Sequence, residues 1–529
     1  MNIGIVISKL RTEEQLSQEK FAQKLNVTRQ TVQKWESGDA QPDIYNIIKI
    51  AKLFNISVDS IVLNDDERIS EILSEKKIQP TYDSIHYWEM YSSDLLVEYK
   101  QSIEEGLDIK QYESLFKEVS KMNKGEQKEK IANVLFDIVQ NSPQIPGYKY
   151  NEPSDLDNIR KLRPKFEYRV PEKFNASTLR DKIFGAWVGR ICGCLLGKPI
   201  EGIRTNELYP ILKESKNFPM YRYIKSTDIT QDMYETYSFH LKDRCYADTV
   251  SFAPVDDDTN YTVLANVLIK KFGRDFTPCD VSKIWLDKQS KNSYCTAERV
   301  AFRNFINGFL PPDSAAYKNP YREWIGAQIR GDYFGYINPG NPELAAEMAW
   351  RDASVSHMKN GIYGEMFISA MIACAAVNDN IEQIILGGLS QIPTTSRLCE
   401  AISNIVCDFK DGVGEKDCLK KIHNRYNEHC IHDWCHTIPN ALIVTAALLY
   451  GSNDYGKSIC IAVQAGFDTD CNGATVGSVL GMKNGLQNIS NEWTKPINDE
   501  LDTSIFGVGK IKIADIAQST MEHLPEGTI

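Results

Sequence analysis

Positive charge is in deficit in this chain: 60 lysines and arginines face 71 aspartates and glutamates, a formal net charge of −11. That balance argues against a protein coated in nucleic acid, while leaving room for a small local basic face. The 13 cysteines form no CxxC pair, and their odd count and irregular spacing fit a reducing compartment rather than a disulfide framework or a redox motif. Met1 is not followed by a secretory basic and apolar segment. No apolar run approaches the ~20 residues a membrane span requires, Ala441 to Tyr450 being too short. A cytoplasmic protein with no membrane partner is therefore expected. Internal repeats and low-complexity tracts are missing, and strand signals are few. The 42% hydrophobic residues nevertheless suffice for real cores, and 529 residues predict two or three domains.

Residues 1–66 form the first of these. Ile3, Val6, Ile7 and Leu10 share a helical stripe. Ser17 is placed to cap a helix that turns Phe21, Ala22 and Leu25 inward, and Thr28 to cap another from Arg29 to Glu36, closed by Gly38. Pro42 and Asp43 open a further helix through Phe54, and Val58, Ile61 and Val62 continue the core. The phrase LSQEKFAQKLNVTRQTVQKWESG resembles the lambda-repressor-like (Xre/Cro) helix-turn-helix family. Its chemistry agrees. Thr28, Arg29 and Gln30 at a helix start, with Gln33 and Lys34 one turn on, present amide and guanidinium groups suited to base edges in the major groove. Gln18 begins the preceding helix, a phosphate-contacting position. DNA is the expected partner, bound as a homodimer; a small protein-binding module is the alternative.

Residues 67–173 read as a helical spacer or dimerisation region followed by a proline-rich linker. Ile69, Ile72 and Leu73 make one apolar stripe, and Ile131, Val134, Leu135 and Ile138 another. Tyr87 and Trp88 supply aromatic bulk that needs a partner surface. Pro143, Pro146, Pro153, Pro164 and Pro171 mark the linker.

From 174 to 529 the pattern is that of one large all-α domain, rich in alanine and glycine. Two acidic segments stand far apart in it: Val255-Asp-Asp-Asp-Thr-Asn-Tyr-Thr262 and Gly466-Phe-Asp-Thr-Asp-Cys-Asn-Gly473. Adjacent acids repel unless a cation lies between them, and oxygen-rich clusters suit Mg²⁺ or Mn²⁺. Both run directly into apolar stretches, as acids at the starts of buried helices do. A split metal site is expected rather than two solvated loops. Gly185 to Glu201 reads as a glycine-spaced helix that allows close backbone approach, ending in Pro199 and one acid.

Together, these three segments resemble the ADP-ribosylglycohydrolase family, which includes the dinitrogenase reductase-activating glycohydrolases, over roughly residues 175 to 515. The resemblance implies an all-α fold with two Mg²⁺ or Mn²⁺ ions at the base of an ADP-ribose cleft. It also implies that Asp257 and Asp258, with Thr259 following, match the first metal motif, and Asp468 and Asp470 the second. Glu201 matches a mobile acid near the ribose and, with Asp257 and Asp258, is expected to carry catalysis. Ser356-His357 matches a substrate-lining position. Gly326 to Gly340, with Gly331 and Gly335 between, matches a loop whose amides cradle phosphate, so Gly335, Asn338, Gly340 and His357 are expected to bind substrate.

Three departures accompany the match. Asp256 stands where a hydroxyl is usual, which makes the metal set one carboxylate richer. Cys471, a softer ligand, follows the second pair, and Gly193-Cys194 replaces Gly-Asp. His429, His432 and His436, flanked by Cys430 and Cys435, have zinc-like spacing, but cleft or core histidines are favoured. The expected activity is metal-dependent hydrolysis of an ADP-ribosyl glycosidic bond in a DNA-binding protein. The alternative is a transcriptional regulator whose inactive hydrolase-like domain senses an ADP-ribose-containing ligand.

Overall fold

The computed structural model describes residues 3–62, 79–165 and 174–529, which fall into two compact units, 1–82 and 83–529. The expected stripe of Ile69, Ile72 and Leu73, and Pro171, lie outside the described residues. Among those described, strand is confined to one antiparallel pair, Glu500–Leu501 with Ile511–Lys512; the remainder is helix and loop.

The described residues of the first unit form five helices: α1 (Ile3–Glu13), α2 (Gln18–Leu25), α3 (Arg29–Ser37), α4 (Ile44–Phe54) and α5 (Val58–Val62). Ser17, Thr28 and Asp43 cap α2, α3 and α4 by accepting from free backbone amides, and Gly38 ends α3 at a φ of 83°. Ile7, Phe21, Leu25, Val32, Trp35 and Ile50 close the core between them.

The second unit is built around two antiparallel helices, the glycine helix Ala176–Gly197 and the second acid helix Thr469–Asn484. Gly185, Gly189 and Gly193 face Gly481, Gly477 and Gly473 in turn; a Cβ on Gly185 would lie 2.6 Å from the Gly481 carbonyl oxygen, and the other pairs are tighter still. Glycine at every fourth position on both partners gives each helix a smooth stripe, so the backbones touch. The glycine helix is long and apolar enough to cross a membrane, but it is buried inside this helical body. The first acid helix, Asp257–Phe272, and the apolar helices Lys359–Ala375 and Thr437–Tyr450 complete the core.

Residues 83–165, expected as spacer and linker, are folded into this same unit. Helices Leu95–Glu104, Glu113–Ser120 and Glu126–Asn141 share a small core that includes Leu95, Phe116, Leu135 and Val139. Ala132, Leu135 and Val139 form the buried stripe of the last helix, whereas Val134 is exposed. Buried ion pairs fasten the layer to the body: Arg322 to Glu98 at 2.9 Å and to Glu105 at 2.6 Å, and Arg397 to Glu152 at 2.8 Å. The proline-rich stretch docks too, the Trp350 indole nitrogen donating to the Ser154 carbonyl at 2.8 Å and the Tyr363 hydroxyl to that of Pro153.

Candidate metal centre and recognition helix

The antiparallel glycine contact determines where the acids meet. It brings the end of the glycine helix, Gly197 to Glu201, against the start of the second acid helix, where the Thr469 hydroxyl donates to the Gly197 carbonyl at 3.0 Å. The first acid helix is fixed to the same place by Arg190, the one charged residue between Lys182 and Lys198. Arg190 is fully buried; it donates to the Asp258 carbonyl at 2.9 Å and pairs with the Asp258 carboxylate at 3.1 Å and Asp332 at 2.8 Å. Ligand atoms of Glu201, Asp468 and Asp470 therefore lie within 4.8 Å of one another, as do those of Asp258, Asp470 and Cys471, and of Cys194, Asp256 and Asp258.

These carboxyls crowd one another. Burial, reinforced by Asp256, pushes Asp257 up to about 6. Asp468 and Asp470 are pushed well above the usual range, first by burial and then by Glu201 and Asp256 respectively. Glu201 is exposed as a residue, but its carboxyl lines the cavity; repulsion from Asp470, then desolvation, raise it well above its ordinary value. Asp258 Oδ2 and Asp470 Oδ1 are buried without a hydrogen-bond partner. Crowded, desolvated carboxylates with free lone pairs suit a hard divalent cation. Asp256 differs: its Oδ1 accepts from the Asp258 amide at 2.9 Å and its Oδ2 pairs with Lys198, so it acts first as helix cap and ion-pair partner.

The acids open into a cavity of about 130 Å³, whose other walls include Trp88, Cys295, Glu298, Trp324, Gly326 and Trp434. Glu201, Asp257, Asp468 and Asp470 all line it. Gly335, Asn338, Gly340 and His357 do not. Gly335 packs on Ile372, and the Gly340 amide donates to the Ala373 carbonyl at 2.8 Å. The Asn338 amide donates to the Phe334 carbonyl at 2.8 Å. Buried His357 stands 3.9 Å behind Glu298. Of the glycine-rich stretch, Gly326 alone among the glycines reaches the wall. Glu298 was missed in the sequence; burial, opposed by Arg330, pushes it up to about 7. Arg190 and Lys198 were missed as well, although a lone charge in an apolar helix signals a buried partner.

The zinc-like histidines resolve differently. His432 and His436 gather with Glu104, while His429 is exposed. The His432 Nδ1 accepts from the Trp324 indole N–H at 3.2 Å, and His436 Nδ1 from the Ile438 amide at 3.1 Å. Both donors carry fixed protons, so each Nε2 bears the ring hydrogen and faces a carboxylate, Glu104 or Glu323. Such rings have no lone pair left to offer a metal.

In the first unit, Thr28, Arg29, Gln30, Gln33 and Lys34 are all exposed on α3, while Val32 and Trp35 anchor its other face. Gln18 is half-buried; its amide donates to Glu36 at 2.8 Å, and Glu36 is also paired with Arg11.

Comparisons with known proteins agree with both units. Residues 7–61 match a helix-turn-helix family. A curated relative, the HTH-type transcriptional activator BcrR of Enterococcus faecalis, is 28% identical over 87 residues, 16% of this chain. The chain spans 43% of that relative's length. A solved structure described as an ADP-ribosylglycohydrolase-related protein complex aligns with 67% of this chain and 100% of its own, at 17% identity and a TM-score of 0.42. The match that decides the larger unit covers residues 175–524, and the chain belongs to the ADP-ribosylglycohydrolase family. It joins that domain to a helix-turn-helix DNA-binding domain.

Proposed function

We propose that the larger domain hydrolyses an ADP-ribosyl glycosidic bond with the help of divalent cations, while the α3 face binds DNA. The observation that carries this reading is the gathering of Glu201, Asp257, Asp468 and Asp470 on one cavity, with Asp258 beside Asp470 and unpartnered oxygens on both Asp258 and Asp470. Those five residues would hold Mg²⁺ or Mn²⁺, two ions being what the family resemblance implies. Such cations supply positive charge that orients ribose hydroxyls and eases loss of a proton from the attacking water. Glu201, exposed and lining the cavity, is placed to accept that proton as the water oxygen bonds to the anomeric carbon and the glycosidic bond to the leaving group breaks. Lys198 pairs with Asp256 beside it, and buried Trp324 excludes bulk water.

A second reading, a ligand sensor without turnover, draws on Cys194 and Cys471, whose thiols stand among the acids. Release of free ADP-ribose from a panel of ADP-ribosyl linkages, with Mg²⁺ and with EDTA, separates the two. We expect Mg²⁺-dependent release, and Glu201→Gln should retain ADP-ribose binding while lowering turnover at least about a hundredfold. No release on any linkage, together with an operator affinity that shifts on adding ADP-ribose, would favour the sensor. On DNA, a single helix-turn-helix offers a small contact, so we propose a homodimer on an inverted repeat.

A further inference from the structure

The wall of the acid cavity is not made by the glycohydrolase region alone. Trp88 lines it, and Trp88 lies between the two matched regions, 7–61 and 175–524. It sits on a single turn of 3₁₀ helix, Tyr87–Glu89, half-buried against a cluster that contains Val97, Tyr321 and Trp324. Both flanks of that turn are held. The Glu89 carboxylate pairs with Lys291 at 2.8 Å, and its carbonyl accepts from Arg303 at 2.9 Å. Downstream, the Tyr321 hydroxyl donates to Asp94. The Arg299 guanidinium lies 5.6 Å from the Trp88 ring centre. Further along, buried Glu98 and Glu105 clamp Arg322, which ties the layer to the cavity wall at Trp324 and Ile325.

We propose that Trp88 is a specificity-determining residue of the acid site, contributed by the added helical layer, and that it limits the inserted part of a ligand to a group about the size of a single ribose. The substrate class named here rests on the glycohydrolase reading; the size limit itself rests on geometry. The cavity of about 130 Å³ accommodates a pentose ring with its hydroxyls. It is well below the roughly 300–1,000 Å³ of pockets that enclose a drug-sized ligand. The nucleotide part of an ADP-ribosyl group must then lie outside this chamber. Because the layer is fastened by buried ion pairs, Trp88 acts as a fixed wall. Trp324, whose indole nitrogen is bonded to His432, is equally fixed but belongs to the body.

Cys295 lines the same chamber and reports on its opening without any knowledge of the substrate. Peptide-mapped alkylation of Cys295 in the full chain would compare N-methylmaleimide with N-phenylmaleimide, each rate normalised to glutathione. In the native protein the phenyl reagent should lag at least tenfold behind the methyl one. Trp88→Ala should raise the phenyl-to-methyl ratio at least fivefold, and Trp88→Leu, which keeps an apolar filler, by a smaller step in the same direction. A ratio unchanged in both variants, with native-like melting, overturns the proposal. Calorimetry with Mg²⁺ then compares ADP-ribose with ADP-ribose carrying an N-methylanthraniloyl ester on its terminal ribose. The ester should bind at least tenfold more weakly to the native chain, and within threefold of ADP-ribose to Trp88→Ala. Equal binding of both by the native chain contradicts the size limit alone. Failure of ADP-ribose itself to bind contradicts the glycohydrolase reading, and the Cys295 ratio still decides the role of Trp88.

Discussion

Asp257 shows how a single carboxyl reports on the state of the whole centre. Its pKa rises from the ordinary 3.8 to about 6 because it is buried beside Asp256. A carboxyl raised in the folded state keeps its proton where the unfolded chain has lost its own. Its stabilising contribution is full below the unfolded value and is lost as pH climbs through about 6. Asp258, Asp468 and Asp470 shift in the same direction. Protein stripped with EDTA should therefore melt at lower temperature at pH 7.5 than at pH 5.5, and Mg²⁺ should close the gap by binding the deprotonated set. Melting that is higher at pH 7.5 in EDTA, or an Mg²⁺ effect equal at both pH values, would contradict this. The residues themselves were readable because acids before apolar runs mark helix starts that point inward. The ion pair of Asp256 was not readable, since its partner Lys198 lies 58 positions away in the chain.

At the scale of elements, local chemistry and long-range chemistry separate cleanly. The helix-turn-helix unit was legible almost to the residue because Ser17, Thr28, Asp43 and Gly38 satisfy their own helix ends. Arg29 is exposed on α3, so Arg29→Ala should leave melting unchanged while relaxing base preference by about 1–3 kcal/mol, measured by binding to a randomised operator library. Loss of affinity that is uniform across all sequences would instead make Arg29 a phosphate contact. In the large domain the glycine spacing announced a close approach but not its partner, since the facing glycines lie almost 300 residues on. Gly189→Ala places a methyl against the Gly477 carbonyl oxygen and carbon, both of them backbone atoms. Overpacking of this kind costs about 1–3 kcal/mol or more. Because the same contact positions Asp470, the variant should lose metal affinity along with stability. Denaturant melts with and without Mg²⁺ check both, and an Mg²⁺ response equal to the native one would uncouple the helix contact from the centre.

For the molecule as a whole, the layer of residues 83–165 was the least legible part. Its sequence is polar, and charged residues are ordinarily read as solvated. Here Glu98 and Glu105 are buried against Arg322, more than 200 positions away, where a single-sequence pattern gives no hint of pairing. Of the two aromatics read as needing a partner surface, Trp88 lines the acid cavity, whereas Tyr87 is exposed. The all-α class was legible throughout, from helical periodicity and scarce strand signals. We propose that two acidic segments some 200 residues apart form one divalent-cation centre, and anomalous diffraction from crystals of the full chain grown with Mn²⁺ checks this. Density is expected among Glu201, Asp257, Asp258, Asp468 and Asp470, and none at Glu104, His432 and His436. Mn²⁺ found beside those histidines, or absent from the acid cavity at saturating concentration, would contradict it.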